Sequence, residues 1–349
     1  MPFIQESNQG KDAATIGLSP RPRLLSPGKR DLLRVFGLGI GYAPTAVIPA
    51  RFDPWIIDHL TDVVLRLRPG RLESLASRMS KTLGPRVSGL DLTEAARTHY
   101  QMTMEETWVR ARNLHPQSWT PETTLDGLGR LREAQAAGHG TILWRMSLCS
   151  SLVVKIALRR AGVPVVHLSS ARHGAVSETW LARHVLCPLY RRTEDWYLSE
   201  RVVIPWDGST GAVMKTLLQR LTEDNSVVSI LGDNYGTQNI TTPFLGAQAR
   251  FAVGSPALAW KAGAALLPVY SVRERTGKYR IVIDEPIGVD RHCDRKEFAR
   301  RAVNEFSERM QDAIARYPAS WLDWGRFWAR GSIYRAAPDA ARSGTQGDS

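Results

Sequence analysis

The sequence predicts an α/β fold, a central and mainly parallel mixed sheet flanked by helices, with a helical front preceding it. Three observations carry that expectation. From Gly140 onward, short apolar runs alternate with amphipathic stretches at the interval of strand–helix units. Residues 53–135 instead carry apolar positions at helical spacing. A chain of 349 residues that is 43% hydrophobic can also bury the large core that such a sheet needs.

Taken in order, residues 1–30 are polar and read as disordered or extended, without the basic, apolar and small-residue succession of a secretory signal. Segment 35–50 is apolar but short for a spanning helix of about 20 residues. It is also interrupted by Gly37, Gly39, Gly41, Pro44 and Pro49, so a membrane-interface contact and a buried irregular segment both remain open. Ile57, Leu60, Val64 and Leu67 mark one helix; Leu92, Ala95, Ala96, His99 and Tyr100 mark another, with Asp91 and Glu94 in a capping arrangement. A further helix over 125–137 ends at Gly138-His139-Gly140. This front, 31–137, forms one domain with a body over 138–335.

In the body the apolar runs at 141–145, 164–168, 201–205, 227–231, 266–272 and 279–283 predict strands. The stretches at 150–161, 176–186, 211–221 and 255–264 predict helices between most of them. The last two strands, joined through Arg275-Thr276-Gly277, read as a hairpin. Residues 336–349, rich in Ala, Ser, Gly and Asp, read as a disordered tail. Ligands of such sheets bind beyond the carboxyl ends of the strands, which directs attention to the loops at 146–150, 169–175 and 232–243.

Composition narrows the function. Lys and Arg number 46 against 34 Asp and Glu, a net charge of +12 that favours an acidic partner. The arginines are scattered along amphipathic helices without the interleaved aromatics of a nucleic-acid platform, so no nucleic acid is expected. Cys149, Cys187 and Cys293 are widely spaced and form no CxxC pair, as in a reduced cytoplasmic protein without structural zinc. The absence of G-x-G-x-x-G, G-x-x-x-x-G-K-[ST] and G-x-S-x-G patterns leaves no support for a nucleotide cofactor or a serine-hydrolase elbow, and no cofactor is expected.

Several motifs stand in a telling order. Ser226-Val-Val-Ser-Ile-Leu-Gly-Asp233 is followed by Thr242-Pro-Phe-Leu-Gly-Ala-Gln-Ala-Arg250. Next come a small-residue helix from Gly254, a strand ending in Leu267-Pro268, then Asp284-Glu-Pro-Ile287 and Tyr317-Pro-Ala-Ser-Trp-Leu-Asp-Trp-Gly-Arg-Phe-Trp328. Together with Gly138-His-Gly-Thr-Ile-Leu143 and Leu92-Thr-Glu-Ala-Ala-Arg97, this series resembles the late acyltransferases of lipid A biosynthesis, over about residues 55–328. The resemblance implies a lysophospholipid acyltransferase-like fold and transfer of an acyl group from an acyl carrier protein or coenzyme A thioester to a lipid or small-molecule acceptor. It also implies a cytoplasmic location with a peripheral contact on the inner face of the cell membrane.

The same resemblance implies a His-x4-Asp/Glu dyad after the first strand of the body, and this chain lacks it. The histidine position falls on Ser147 and the carboxylate position on Leu152. Serine has no basic nitrogen and leucine cannot orient a base by hydrogen bonding. Residues 140–160 hold no other His and no Asp or Glu, so no local shift restores the pair. Three readings follow: acyl transfer to a hydroxyl or amine by an altered mechanism, a non-catalytic relative that binds an acyl chain, a lipid or a carrier protein, or a peripheral membrane or carrier-binding scaffold with no acyl pocket; the Gly232-Asp233 turn and Pro243-Phe-Leu-Gly246 favour the first two.

Candidate residues divide by chemistry. His173 with Glu178 repeats the dyad spacing in a loop on the ligand-binding edge, whereas His292 with Glu297 lies in a charged surface stretch. Cys149 sits inside the vacated site, either as an acyl-accepting nucleophile or as a small buried hydrophobe. Ser147, Arg145, Asp233 and Arg250 suit substrate binding, an arginine there being able to hold a phosphate bidentately. Ser147, Ser150 and Ser151 are alternatively helix caps. Trp180, Trp196, Trp321, Trp324 and Trp328 suit either interfacial anchoring or core packing.

Overall fold

A computed structural model describes residues 27–115, 119, 121–173, 179–233, 236 and 238–328. The expectations for residues 1–26 and 329–349, and Glu178, lie outside the described residues. Four helices form the front: α1 (Pro27–Val47), α2 (Asp53–Leu67), α3 (Arg71–Leu83) and α4 (Leu92–Asn113). The body follows with β1 (Glu122–Asp126), α5 (Leu128–Ala136), β2 (Thr141–Arg145), α6 (Ser151–Arg160), β3 (Val165–Ser170), α7 (Cys187–Asp195) and β4 (Glu200–Ile204). It continues through α8 (Gly211–Thr222), β5 (Val227–Leu231), β6 (Asn239–Phe244), β7 (Ala247–Ala252) and α9 (Gly254–Ala262). It ends with β8 (Ala265–Arg275), β9 (Lys278–Ile283), α10 (Arg295–Arg316) and α11 (Trp324–Phe327).

Seven strands make one mixed sheet in the order β1-β9-β8-β2-β5-β3-β4, while β6 and β7 pair as a separate antiparallel ribbon. The five strands from β8 to β4 run parallel; β9 reverses on β8 as the expected hairpin, and β1 lies parallel to β9. β2 is buried at all five residues, as a central strand covered on both faces must be. α6 is likewise buried from Leu152 to Leu158.

Buried ion pairs join the front to itself and to the sheet. Arg112 of α4 donates to Asp53 of α2 and to the carbonyls of Thr45 and Ile48, while Arg273 of β8 donates to Glu105 of α4 at 2.6 Å.

The expectations for 35–50, 125–137 and 176–186 need correction. Segment 35–50 is mostly helical, not irregular: α1 continues through Gly37, Gly39 and Pro44 because it packs on α4, and Arg112 caps its last carbonyls. Its side chains Leu32, Leu33, Phe36 and Tyr42 are exposed, as are Phe52, Trp55 and Val63 at and beyond the start of α2. No helix among the described residues is long and apolar enough to cross a membrane.

The helix expected over 125–137 is present as α5 but begins at Leu128, because Leu125 and Asp126 belong to β1, whose pairing with β9 overrides local helical spacing. Gly127 turns the chain between β1 and α5 at φ +83°. The described part of the helix expected over 176–186 extends to Asp195, through a π turn at Ala182–Leu186. The β6–β7 ribbon, closed by Leu245-Gly246, was not anticipated as strands.

Gly127 allows a direct test of this junction. A Cβ there would lie 2.1 Å from the Ile283 carbonyl oxygen, in a left-handed conformation that costs other residues about 1–2 kcal/mol. Gly127→Ala is therefore expected to destabilise by roughly 2–5 kcal/mol once overpacking is included. Gly138→Ala, at φ +77° with open space around it, should show only the conformational part. Equal denaturant midpoints for the two variants would refute the close approach.

Candidate active site

The turn after β2 is held on two sides, which closes the vacated dyad position. Met146 N donates to Val269 O at 2.9 Å, and Ser271 Oγ reaches the carbonyls of Leu148 and Ser150 from β8. On the other side the aromatic segment after α10 forms an antiparallel bridge, Leu148 to Trp321. Cys149 N donates to Ser320 O at 2.6 Å and Leu322 N donates to Ser147 O at 3.0 Å. Ser147 Oγ hydrogen-bonds Asp233 and lies 3.2 Å from Asp323 Oδ2. Those carboxylates orient the Ser147 hydroxyl, and no imidazole stands at this position. Leu152 is fully buried in an apolar cluster with Val153 and Ile156.

Asp233 reaches Ser147 because Gly232 permits a tight passage. A Cβ on Gly232 would meet Phe306 Cζ at 2.4 Å and Trp144 Nε1 at 2.5 Å. Cys149 sits at φ +54° with its thiol in the core, and burial pushes that thiol far up, away from thiolate formation. Ser150 caps α6, accepting from Leu152 N at 3.3 Å.

A cavity of about 650 Å³ opens one step along the same sheet edge, beyond the carboxyl ends of β2, β3, β4 and β5. Two of the three anticipated loops border it, through Ser170 and His173 on one side and Gly236 and Gln238 on the other. The starts of α8 and α9 complete the wall, and Ile204, Met214, Leu218, Ile230 and Leu258 give it an apolar side. Arg145, His167, Lys215, Lys261 and Arg295 give it a basic one.

His173 stands on this wall with its side chain 22% exposed, and its Nε2 lies 3.1 Å from Glu194 Oε1. Burial lowers the imidazole below its ordinary value against the pull of Glu194, so the ring is neutral at pH 7. With Nε2–H given to Glu194, Nδ1 is left as the basic nitrogen.

Glu194, on α7, is fully buried and anchors the charge network behind the cavity. Lys155 Nζ of α6 approaches it at 2.5 Å, Arg201 Nη2 of β4 at 3.1 Å and Arg110 Nη1 of α4 at 3.3 Å. Burial works against its charge, but Lys155, His173 and Arg110 overcome this and hold the carboxylate well below its usual range. Burial, aided by Arg145 and Arg201, pushes Lys155 down to about 7. Arg201 also donates to Ser169 Oγ at 3.0 Å. Buried His167 is held neutral chiefly by burial, with Lys155 and Arg145 adding to the effect.

Of the residues singled out by sequence, Arg145 and His173 meet at the cavity, whereas Ser147 and Asp233 pair at the closed turn. Cys149 belongs to the core, Arg250 is exposed on β7, and neither lines the cavity. His292 is exposed. Trp321 and Trp324 are buried, while Trp180 and Trp196 are exposed. Glu194, Lys155, Arg110, Arg201 and His167 escaped sequence reading. Two of them left a signal, Lys155 inside Leu152-Val-Val-Lys-Ile-Ala-Leu158 and His167 inside Val165-Val-His-Leu168, single polar residues in apolar runs. Among the described residues no cluster of three or more His, Cys, Asp or Glu side chains is placed to hold a metal ion.

Residues 199–328 match the family described as bacterial lipid A biosynthesis acyltransferase. The match runs from β4 to Trp328 and takes in α8, the β6–β7 ribbon and α9, hence much of the cavity wall. It stops short of the dyad turn and of His173. It supports the family resemblance of the motifs in that stretch and an acyltransferase-like function for the body. No curated protein shows a significant match to the chain.

Proposed function

We propose that the chain transfers an acyl group from an acyl carrier protein or coenzyme A thioester to a hydroxyl or amine acceptor, with His173 as general base in place of the missing dyad. The observation that carries this reading is the His173–Glu194 pair on the wall of a half-apolar cavity, at the sheet edge where ligands of such folds bind. Glu194 fixes the tautomer, and Nδ1 takes the acceptor proton as the acceptor oxygen or nitrogen bonds to the thioester carbonyl carbon. Collapse of the intermediate breaks the C–S bond, and the proton passes to the departing sulfur. The apolar wall receives the acyl chain. Cys149 is assigned to packing, because its thiol is buried away from the cavity. The exposed apolar side chains of α1 and α2 support a peripheral membrane contact through the helical front.

The closed Ser147–Leu152 turn favours a second reading, a relative that keeps the cavity to bind an acyl chain, lipid or carrier without turnover. One experiment separates the two. Purified chain is incubated with acyl carrier protein and coenzyme A thioesters, hydroxyl and amine acceptors, and anionic lipid vesicles, and products are read by mass. Acylated acceptor and co-sedimentation with the vesicles are expected. Tight donor binding without product would establish the second reading, and a chain left wholly in the supernatant would remove the membrane contact.

A further inference from the structure

His167 has no task in the proton transfer just described, and the fold does not use its ring. It sits in the middle of β3, is only 3% exposed and lines the cavity. Among the described residues neither ring nitrogen is hydrogen-bonded, and of the two only Nδ1 is enclosed, so Nε2 is the nitrogen that the cavity reaches. Buried polar side chains are almost always hydrogen-bonded, and an unused ring at a ligand cavity points to a partner that arrives with the ligand. In protein interiors an enclosed N–H without an acceptor is a rarer arrangement than an enclosed acceptor without a donor, which assigns the hydrogen to Nε2. Burial, then Lys155 and Arg145, hold the imidazole neutral, so it cannot serve as the base. The same cations strengthen its N–H as a donor to a group that is gaining negative charge. Glu194 acts on both His167 and His173, and His173 stands in the turn that follows β3, so the two rings address one region of the cavity.

We propose that His167 is a second catalytic residue, whose Nε2–H donates a hydrogen bond to the thioester carbonyl oxygen and stabilises the negative charge that forms there. A cationic group would be repelled by Lys155 and Arg145, whereas a carbonyl oxygen that turns negative suits both the donor and the cations. As the acceptor bonds to the carbonyl carbon and His173 takes its proton, the carbonyl π pair moves onto the oxygen that faces His167. When the C–S bond breaks, that pair returns to the carbonyl and the sulfur leaves with the proton from His173. His167 keeps its own proton throughout. The oxyanion step rests on the acyl-transfer reading, while a hydrogen bond to the carbonyl of a bound thioester requires no turnover.

Infrared spectroscopy of the full chain tests it, with acyl-pantetheine and acyl-coenzyme A isotopically labelled at the carbonyl carbon as probes and His173→Ala as the background in which bound donor persists. The carbonyl band is expected below its position in an apolar solvent. His167→Leu in that background should return it to the apolar position, and His167→Gln, which keeps an N–H, should hold part of the shift. With His173 intact, His167→Leu should lower kcat about 10²–10³-fold at nearly unchanged KM, the usual contribution of one oxyanion donor, and His167→Gln should recover part of the loss. Without ligand, His167→Leu should melt no lower than wild type, because apolar atoms of similar volume replace a ring that bonds to nothing. If that variant does not fold, His167→Met carries the same comparison. A band at the apolar position in His173→Ala, a band unmoved by His167→Leu, or no bound thioester would overturn the proposal. Product formed by His167→Leu with a kcat within tenfold of wild type would overturn it and leave the acyl-transfer reading intact. A His167-dependent shift with no product from wild type would leave the hydrogen bond standing and remove the acyl-transfer reading.

Discussion

Glu194→Ala is expected to destabilise the chain by about 3–5 kcal/mol, the range for breaking a buried ion pair by removing one partner. The carboxylate is fully buried, and Lys155, Arg110, Arg201 and His173 all converge on it. Removing it leaves three cations at 9% side-chain exposure or less without their shared anion. Removal of one cation is a different case: Lys155→Met keeps Glu194 paired with Arg110 and Arg201 and should cost little.

The pH dependence follows from the two shifts. Glu194 has a lower pKa folded than unfolded, so its stabilising contribution is present above about pH 4.5 and is lost as pH falls through the folded value. Lys155 at about 7, against 10.5 ordinarily, binds fewer protons folded than unfolded between those values. Its contribution therefore makes wild type gain stability from pH 7 toward 10, and Lys155→Met should lose that gain. Denaturant unfolding of the three proteins at pH 3, 5, 7 and 9 measures both effects, the Glu194 loss between pH 5 and 3 and the Lys155 gain between pH 7 and 9. A Glu194→Ala midpoint within about 1 kcal/mol of wild type would mean that the network does not hold the fold.

Much of this architecture could be read from periodicity. The run at 141–145 is β2, the run at 227–231 is β5, and the 266–283 stretch is the β8–β9 hairpin. Apolar runs between helices leave little choice in a sheet covered on both faces. The errors arose where distant pairing decides. Glu122–Asp126 becomes a strand because β9 offers an edge, and α1 stays helical through its glycines because Arg112 and α4 support it. The site was half legible for the same reason. The loss of the dyad at Ser147 and Leu152 is a local fact of sequence, and so is the position of His173 after a strand. Its partner Glu194 is 21 residues away on α7, and the lysine and arginines that share it come from α6, α4 and β4. No spacing rule joins those residues; only the topology β2-β5-β3-β4 does.

His173→Ala should lower turnover by about 10²–10⁴-fold, the usual contribution of a general base, while leaving the fold intact. The fold should survive because the ring is 22% exposed and Glu194 keeps Lys155, Arg110 and Arg201 when it is gone. Equal melting of variant and wild type therefore belongs to the prediction, and separates lost chemistry from lost structure. The loss should be smaller for amine than for hydroxyl acceptors, since a neutral amine is already nucleophilic and needs its proton removed only after attack.

A second signature lies in pH. Burial lowers His173 below 6.5, so its basic form persists to lower pH than an ordinary imidazole would allow. The groups facing it argue for the same direction: Glu194 pulls its pKa up, but Lys155 and Arg110 push it down with burial. The kcat/KM profile of wild type should accordingly stay level from pH 7.5 to below 6.5 and then fall with unit slope. Added imidazole should restore part of the activity of His173→Ala. An inflection above 6.5, or a variant within tenfold of wild type on hydroxyl acceptors, would place the base elsewhere. Glu194 would then be a structural anchor alone, with the cavity left as a binding site whose chemistry, if any, is supplied by its ligand.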